Sequence, residues 1–211
     1  MVRIPALFER TFENHRVVSI SPKPVGNLGN IIEEDGCIAT EMMDGTTCAV
    51  IGGRLYRRFD AKGGKSIPQG AVQCCPPDPV TGHWPHWVPV RRDEASAKWI
   101  LYAYMNTEGG MALEDGTYEA VGPHFQGNPY GLEKDIMVRH GEREVVVPRD
   151  FDGLKKWLSC HMVKGIVFWK DGKPVCKIKR SDFGLPWGAD IARGGTGAPG
   201  AGSSLHRAAR F

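Results

Sequence analysis

The sequence predicts an α+β fold built mainly on antiparallel sheets. Stretches that alternate apolar and polar residues outnumber those with a helical period, and several of them flank Asp-Gly or Gly-Gly turns. Short turns of this kind are typical of β-hairpins. Hydrophobic residues make up 41% of the 211 residues and charged residues 24%, so a buried core is possible and global disorder is excluded.

Strands dominate the first part of the chain. Residues 1–30 are predicted as an N-terminal segment that begins amphipathic and continues extended. Residues 37–60 are predicted as a hairpin continued by a further strand, with turns at an Asp-Gly and a Gly-Gly pair. Residues 61–92 are rich in Gly, Pro and His, which predicts a loop-rich insertion.

Helices enter in the second half of the chain. Residues 93–105 are predicted as a helix that ends in a strand, and an aspartate N-cap predicts a helix over 150–163. Strands are predicted over 115–122 and 134–147, the latter on both sides of a His-Gly turn. An Asp-Gly turn between two strand-like stretches predicts a hairpin over 164–180.

One domain over 1–190 is expected, followed by a flexible tail rich in Gly and Ala over 191–211. The first residues carry charges within their apolar stretch, so we expect no secretory signal and a cytoplasmic protein with reduced cysteines. No apolar run approaches the ~20 residues of a membrane span, so no membrane partner is expected. The net charge of +3 does not indicate a dedicated nucleic-acid-binding protein, although it allows a local basic patch.

Two cysteines and two histidines in the loop-rich insertion raise the question of a zinc site. Cys74 and Cys75 precede His83 and His86, and zinc binds both residue types. Adjacent cysteines rarely both point at one metal, however, and the intervening stretch is rich in proline. The pattern favours a plain loop with core-facing thiols, with a structural zinc site as the alternative.

Charged residues occur within strands where a purely structural strand would not require them. Lys177 and Lys179 are two apart on one strand, so both ammonium groups face the same side and repel unless an anion lies near them. A polyphosphate is the obvious anion. Glu119 lies in an apolar strand, where it can bind a sugar hydroxyl or a magnesium ion. Taken singly, each is better explained as a solvated strand face or an edge residue.

Three separated pieces of sequence together carry a resemblance. They read ATEMMDGTTC from residue 39, YEAVGPHFQGNPYGL from residue 118, and GIVFW followed by KIKR between residues 165 and 180. In this order they resemble the motifs of the covalent nucleotidyltransferases, the superfamily of ATP-dependent ligases and capping enzymes. Within it, the pieces are most similar to the compact ATP-dependent RNA ligases, the family of the vertebrate 5′–3′ RNA ligase. The resemblance covers roughly residues 30–185.

The resemblance implies a fold and a reaction. It implies a nucleotidyltransferase (ATP-grasp-like ligase) domain of two antiparallel sheets flanked by helices, with ATP in the cleft between them and no oligonucleotide-binding domain. The reaction would join 5′-phosphate and 3′-hydroxyl RNA ends through lysyl-AMP and RNA-adenylate intermediates, with Mg²⁺ or Mn²⁺ as cofactor. The expected partners are RNA ends and ATP, and the expected state is a monomer. Capping or DNA-joining enzymes share this fold and remain an alternative.

Candidate site residues follow from the matched motifs and from nearby aromatic and basic residues. The candidates for ATP binding are Thr40, Glu41, Asp44, Gly45, Arg57, Glu119, Phe125, Lys177 and Lys179. Of these, Lys177 and Lys179 would also neutralise the α-phosphate during the reaction. Metal binding would fall to Glu119 and to position 164. The candidates for RNA binding are Arg54, Arg58, Lys62, Lys65, Arg91 and Arg92, with a solvated face as the alternative.

Three positions depart from the pattern of the family. Met42 stands at the nucleophile position, and a thioether cannot form the phosphoramidate that lysine forms. Lys164 stands where the family has an acid that helps hold the metal, and Thr47 stands where an arginine is common. The chain is expected to be a ligase disabled for self-adenylylation. A natural pseudo-ligase that binds nucleotide or RNA ends is the alternative, and sealing of RNA that already carries 5′-AMP needs no nucleophilic lysine.

Overall fold

The fold is described by a computed structural model over residues 4–13, 16–62, 64–79, 81–107 and 113–188. The predicted tail over 191–211 lies outside these ranges. No helix in them is long and apolar enough to cross a membrane.

Strands are the main elements of the described chain. They are β1 (Phe8–Glu13), β2 (Arg16–Pro24), β3 (Ile38–Met42), β4 (Thr46–Ile51), β5 (Arg54–Asp60), β6 (Val72–Gln73), β7 (Pro85–Pro89), β8 (Gly116–Val121), β9 (Ile136–Arg139), β10 (Gly165–Lys170) and β11 (Lys173–Lys179). The α-helices are α1 (Leu28–Glu33), α2 (Lys98–Asn106) and α3 (Phe151–Cys160), and short 3-10 helices cover Ala95–Ala97 and Arg180–Phe183.

The strands form three antiparallel sheets within the described chain. Strands β1 and β2 form a hairpin, strands β11-β10-β3 a three-stranded sheet, and strands β6-β7-β5-β4-β8-β9 a six-stranded sheet. The predicted α+β class with antiparallel sheets is confirmed. So is the hairpin over 164–180, whose turn residues Asp171 and Gly172 both have positive φ, as the tightest hairpin turns require.

The strands predicted over 37–60 are confirmed, but their hairpin arrangement is wrong at the first turn. Strands β3 and β4 belong to different sheets, so Asp44-Gly45 is a crossing between sheets. The crossing runs so close to β8 that a Cβ on Gly45 would lie 2.0 Å from the Ala120 carbonyl oxygen. A turn signal in sequence marks the change of direction but not the sheet that the next strand joins.

Three further predictions need correction. Within the predicted loop 61–92, β7 is an internal strand of the six-stranded sheet; it is buried on both faces and lacks the alternation that marks a half-buried strand. The end of 93–105 is helix rather than strand, because Ile100 and Ala103 pack on the sheet at helical spacing and outweigh the β-propensity of its aromatics. After β9, the second strand of 134–147 is reduced to an isolated bridge with β3.

Each large sheet packs one face against a helix. On the three-stranded sheet, Ile166, Phe168 and Ile178 pack with Leu154 and Leu158 of α3. The six-stranded sheet packs one face against α2, and two smaller clusters, around Val121 and Trp87, lie on its other face. Helix α3 begins as predicted at an aspartate N-cap, Asp150, which accepts a hydrogen bond from Gly153 N at 2.8 Å. The remaining faces of the two sheets look toward each other.

The N-terminal segment is attached to the outer edge of the three-stranded sheet. Lys177 N donates to Pro5 O at 2.9 Å, and Leu7 N donates to Lys177 O at 2.8 Å. Arg10 adds an ion pair with buried Asp182 at 2.5 Å. Both backbone polar groups of Lys177 are therefore bonded to the N-terminal segment, which fixes the direction of its side chain.

Candidate functional site

A cavity of about 930 Å³ lies between the three-stranded and six-stranded sheets. Its size is that of a site for a small organic ligand. The three-stranded sheet contributes Thr40, Glu41, Met42, Val167, Trp169 and Lys177 to the lining, and Lys164 precedes β10. The six-stranded sheet contributes Thr47, Arg58, Pro85 and Glu119, and the turn after β9 contributes His140 and Gly141. The N-terminal segment adds Ile4, and the crossing after β3 adds Met43. The loop before β7 completes the lining with Cys75, Pro76, Pro77, Asp78, Pro79, Thr81 and His83.

Cross-strand register explains which residues of the three-stranded sheet reach the cavity. Thr40, Val167 and Lys177 lie directly opposite one another, so their side chains share one face. Met42 and Lys179 lie in the next row on that same face, since both are opposite Gly165. Lys179 is not among the lining residues, whereas Met42 is. The sequence motifs at the ends of β3 and β11 thus meet across β10.

Alternation along β5 separates the two adjacent arginines. Arg58 lines the cavity, whereas Arg57 points to the opposite face of the sheet and pairs with Glu94 at 3.3 Å. The candidate role of Arg57 at the ribose is therefore not supported by its position. Arg58 is the arginine that the fold brings to the cavity.

Glu119 holds the crossing between the sheets in place. Its carboxylate accepts hydrogen bonds from Gly45 N at 3.1 Å and from Thr47 Oγ1 at 3.0 Å. His140 Nε2 lies 3.0 Å from the same carboxylate, and His140 Nδ1 lies 3.0 Å from Thr117 Oγ1. Only 7% of Glu119 is exposed, and both of its carboxylate oxygens have hydrogen-bond partners within the protein.

Lys164 and Asp44 form an ion pair beside Met42. The Lys164 Nζ lies 2.5 Å from Asp44 Oδ1, and Trp187 Nε1 donates to Asp44 Oδ2 at 2.7 Å. The Asp44 backbone N–H donates to the Tyr130 hydroxyl at 2.5 Å. The side chains of Lys164 and Asp44 are only 29% and 16% exposed, so water screens their attraction less than at a surface. The two positions at which the chain departs most from the ligase pattern, 42 and 164, thus lie at one point of the site.

Positive charge is concentrated at this end of the cavity. Burial lowers the pKa of Lys179, Asp182 opposes that effect, and the charges of Arg10 and Lys164 reinforce it. Within the described chain, the Lys179 ammonium makes no ion pair. Together with Lys177 on the same strand face, these cations are suited to an anionic ligand.

The side chains present do not fit a protein-held divalent cation. No group of three or more His, Cys, Asp or Glu side chains in the described ranges could hold a metal ion. Both oxygens of Glu119 accept protein hydrogen bonds, and those of Asp44 are held by Lys164 and Trp187. The expected metal role of Glu119 and position 164 is therefore not supported, because an ammonium takes the place of the second carboxylate.

The same finding bears on the histidines of the loop-rich insertion. His83 Nδ1 is bonded to the Asp60 carboxylate, and His86 Nδ1 lies 2.8 Å from the Trp84 carbonyl oxygen. In the part of the chain that the structure describes, neither His83 nor His86 belongs to a metal-binding cluster with Cys74 or Cys75.

The aromatic candidate Phe125 is placed in the core. Its side chain is 6% exposed and packs with Ile100, Tyr118 and Met137, away from the cavity lining. Because its ring lies in the core between the six-stranded sheet and α2, it cannot stack on a base in the cavity.

The candidates for RNA binding are exposed but are not on one surface. All six, Arg54, Arg58, Lys62, Lys65, Arg91 and Arg92, are exposed. Arg58 lines the cavity, whereas Arg92 lines a separate groove beside α2. Arg91 pairs with Asp93 at 3.1 Å. The basic residues divide between the cavity and the outer side of the six-stranded sheet.

Sequence reasoning missed the residues that complete the site. Trp187 and Tyr130 fix Asp44, and His140 fixes Glu119. Tyr130 lies in the GNPYG piece, but that motif does not predict that its hydroxyl accepts a hydrogen bond from Asp44 N. Trp187 reaches Asp44 across 143 positions of sequence, and no local pattern predicts such a contact.

Comparison with known proteins gives one distant relative. No protein-family model matches the chain. RNA ligase 1 of Danio rerio is 28% identical over 137 residues, which cover 50% of this chain and 42% of the relative. The chain thus spans less than half the length of that ligase. This partial similarity suggests a relationship to RNA ligases.

Proposed function

We propose that the protein binds ATP in the cavity between the sheets and acts in joining RNA ends that carry 5′-phosphate and 3′-hydroxyl groups. The observation that carries this proposal is the meeting of Lys164, Lys177 and Met42 on one wall of a nucleotide-sized cavity. Similarity to an RNA ligase supports the reaction class. Arg58, the RNA-binding candidate that lines the cavity, supplies a candidate phosphate contact for RNA.

The residue at position 42 determines which step of the ligation reaction the protein can carry out. In self-adenylylation, a lysine nitrogen forms a bond to the α-phosphorus of ATP while the bond to pyrophosphate breaks. Met42 offers only a thioether sulfur, which has no proton to lose and no nitrogen to form a phosphoramidate, so self-adenylylation cannot occur at that position. RNA that already carries 5′-AMP bypasses it.

The sealing step would use one lysine of the cavity lining, Lys177, and the neighbouring Lys179 on the same strand face. The RNA 3′-hydroxyl oxygen forms a bond to the 5′-phosphate phosphorus, the bond from that phosphorus to AMP breaks, and the hydroxyl proton passes to solvent. Lys177 and Lys179 would stabilise the charge that develops on the phosphate oxygens. Their shared strand face sets their spacing.

A pseudo-ligase that binds nucleotide or RNA ends without sealing is the second candidate. The ion pair between Lys164 and Asp44 favours it, because the two groups satisfy each other at 2.5 Å. Because this pairing takes up the Asp44 carboxylate, the cavity would bind a nucleotide without the metal that the reaction uses.

A sealing assay separates the two candidates. We expect the chain to join pre-adenylylated RNA to a 3′-hydroxyl acceptor, and not to join 5′-phosphate RNA in the presence of ATP. Lys177→Ala should reduce the yield by about tenfold or more, because a cation facing the phosphate is lost. Lys155→Ala, on the exposed side of α3, is the control and should seal as the parent does. No joined product at high enzyme concentration would instead favour the pseudo-ligase.

A further inference from the structure

We infer that the cavity takes its nucleotide as the free polyphosphate anion, with the Lys164 ammonium in the place of a protein-held divalent cation. This inference rests on the proposed nucleotide site. It assigns the charge state of the ligand, which the proposed function leaves open.

The carboxylates near the cavity are occupied by the protein itself. Both oxygens of Glu119 accept hydrogen bonds, from Gly45 N at 3.1 Å and Thr47 Oγ1 at 3.0 Å, and His140 Nε2 lies 3.0 Å from the latter oxygen, so a metal at Glu119 would compete with these protein contacts. Asp44 is held by Lys164 at 2.5 Å and by an indole N–H at 2.7 Å. A divalent cation could bind Asp44 only by displacing the ammonium that already neutralises it.

The other two acids in the lining do not form a second metal site. Glu41 lies 3.8 Å from Arg143, and Asp78 accepts a hydrogen bond from Thr81 N at 2.9 Å. They lie on different elements, β3 and the loop before β7, and no cluster of three ligands includes them among the described residues.

The cations of the site are placed to neutralise phosphate directly. Lys164, Lys177 and Arg58 line the cavity from three different strands or strand ends. Lys179 adds a fourth charge, half-buried and close enough to Lys164 for their charges to interact. A polyphosphate bound here would bring these repelling cations together without a metal between them.

Chelation by magnesium would weaken this attraction. A divalent cation removes two negative charges from the triphosphate before it reaches the lysines. Coulomb attraction scales with the product of the charges, so the free anion should bind about tenfold tighter than its magnesium complex. A site that holds its own metal behaves in the opposite way, because there the metal bridges carboxylate and phosphate.

Calorimetric titration with ATP tests the inference, once in EDTA and once in excess Mg²⁺. We expect the chain to bind ATP in EDTA and to bind it about tenfold more weakly with Mg²⁺. Lys164→Glu should lose binding in EDTA by about a hundredfold and recover it with Mg²⁺ or Mn²⁺, because it restores a carboxylate at that position. Lys155→Glu makes the same charge change on the exposed side of α3 and should titrate like the parent.

The possible failures are distinguishable. Binding by the parent that requires Mg²⁺ would overturn the inference and leave the proposed nucleotide site standing. Absence of ATP binding in both buffers, with a folded protein by circular dichroism, would overturn the proposed site as well. Lys164→Gln keeps the inference testable if Lys164→Glu does not fold. It should weaken ATP binding in EDTA without making binding depend on a metal. Equal binding by Lys164→Gln and the parent in EDTA would also overturn the inference.

Discussion

At the residue scale, the site is organised around pairs that satisfy each other. Lys164 neutralises Asp44, and Trp187 takes the second oxygen of that carboxylate. Glu119 ties Gly45 N to β4 and to the turn after β9. These pairs fix the short segment that follows Met42, so the wall of the cavity is defined before any ligand binds.

We expect Lys179, which lies beside the cavity, to make ATP binding depend on pH. Burial and neighbouring cations lower its pKa, so as pH rises it loses its proton before an ordinary lysine does. Because phosphate prefers the charged ammonium, we expect ATP affinity to fall with rising pH within a range where an exposed lysine is still protonated. The change should be followed by calorimetry across the alkaline range.

Lys179→Arg is the matched variant for that titration. The guanidinium stays protonated at every accessible pH, so the fall in affinity should disappear or shift upward. The same pH profile in the parent and in Lys179→Arg would mean that another group titrates.

At the element scale, the decisive feature is the crossing from β3 to β4. It takes the chain from the three-stranded to the six-stranded sheet within the span of three residues, Met43, Asp44 and Gly45. Strand alternation then places Thr40 and Met42 on one wall of the cavity and Thr47 on the other. Both walls therefore depend on how closely this crossing approaches β8.

A methyl group at the crossing should be costly. In Gly45→Ala the new Cβ would lie 2.0 Å from a backbone oxygen of β8, which cannot move without breaking the sheet. We expect the free energy of unfolding to fall by at least about 2–3 kcal/mol, as measured by urea denaturation. Gly116→Ala is the control, because its Cβ would meet only the Arg139 side chain at 3.5 Å, and it should cost much less. Equal losses in the two variants would contradict this account of the crossing.

Local sequence patterns predicted where helices and strands lie better than they predicted which sheet each strand joins. The hairpin of β10 and β11 and the N-cap of α3 are short-range features, with signals confined to a few residues. The sheet to which β4 belongs depends on contacts far along the chain, and β7 lacks a local signal because both its faces are buried. The contact between Lys164 and Asp44 joins residues 120 positions apart, so no local pattern predicts the partner of this lysine.

At the scale of the whole molecule, two sheets with separate cores enclose one cavity. Each sheet packs its outer face on a helix and presents the other to the cavity, so the site lies where the two halves of the fold meet. The motifs that resemble those of ligases come from distant parts of the sequence and converge there. The positions predicted from motif order, 40–45, 119, 164 and 177, are near one another, whereas Arg57 and Phe125, added on local grounds, are not.

We propose a ligase-type nucleotide site that is changed at positions 42 and 164. Transfer of labelled AMP from ATP to protein tests this most sharply, comparing the parent chain, Met42→Lys, and Met42→Lys with Lys164→Glu. We expect no label on the parent chain, and label at position 42 in the double variant when Mg²⁺ or Mn²⁺ is present. A double variant that binds ATP but takes up no label, or a parent chain that becomes labelled, would overturn the proposal.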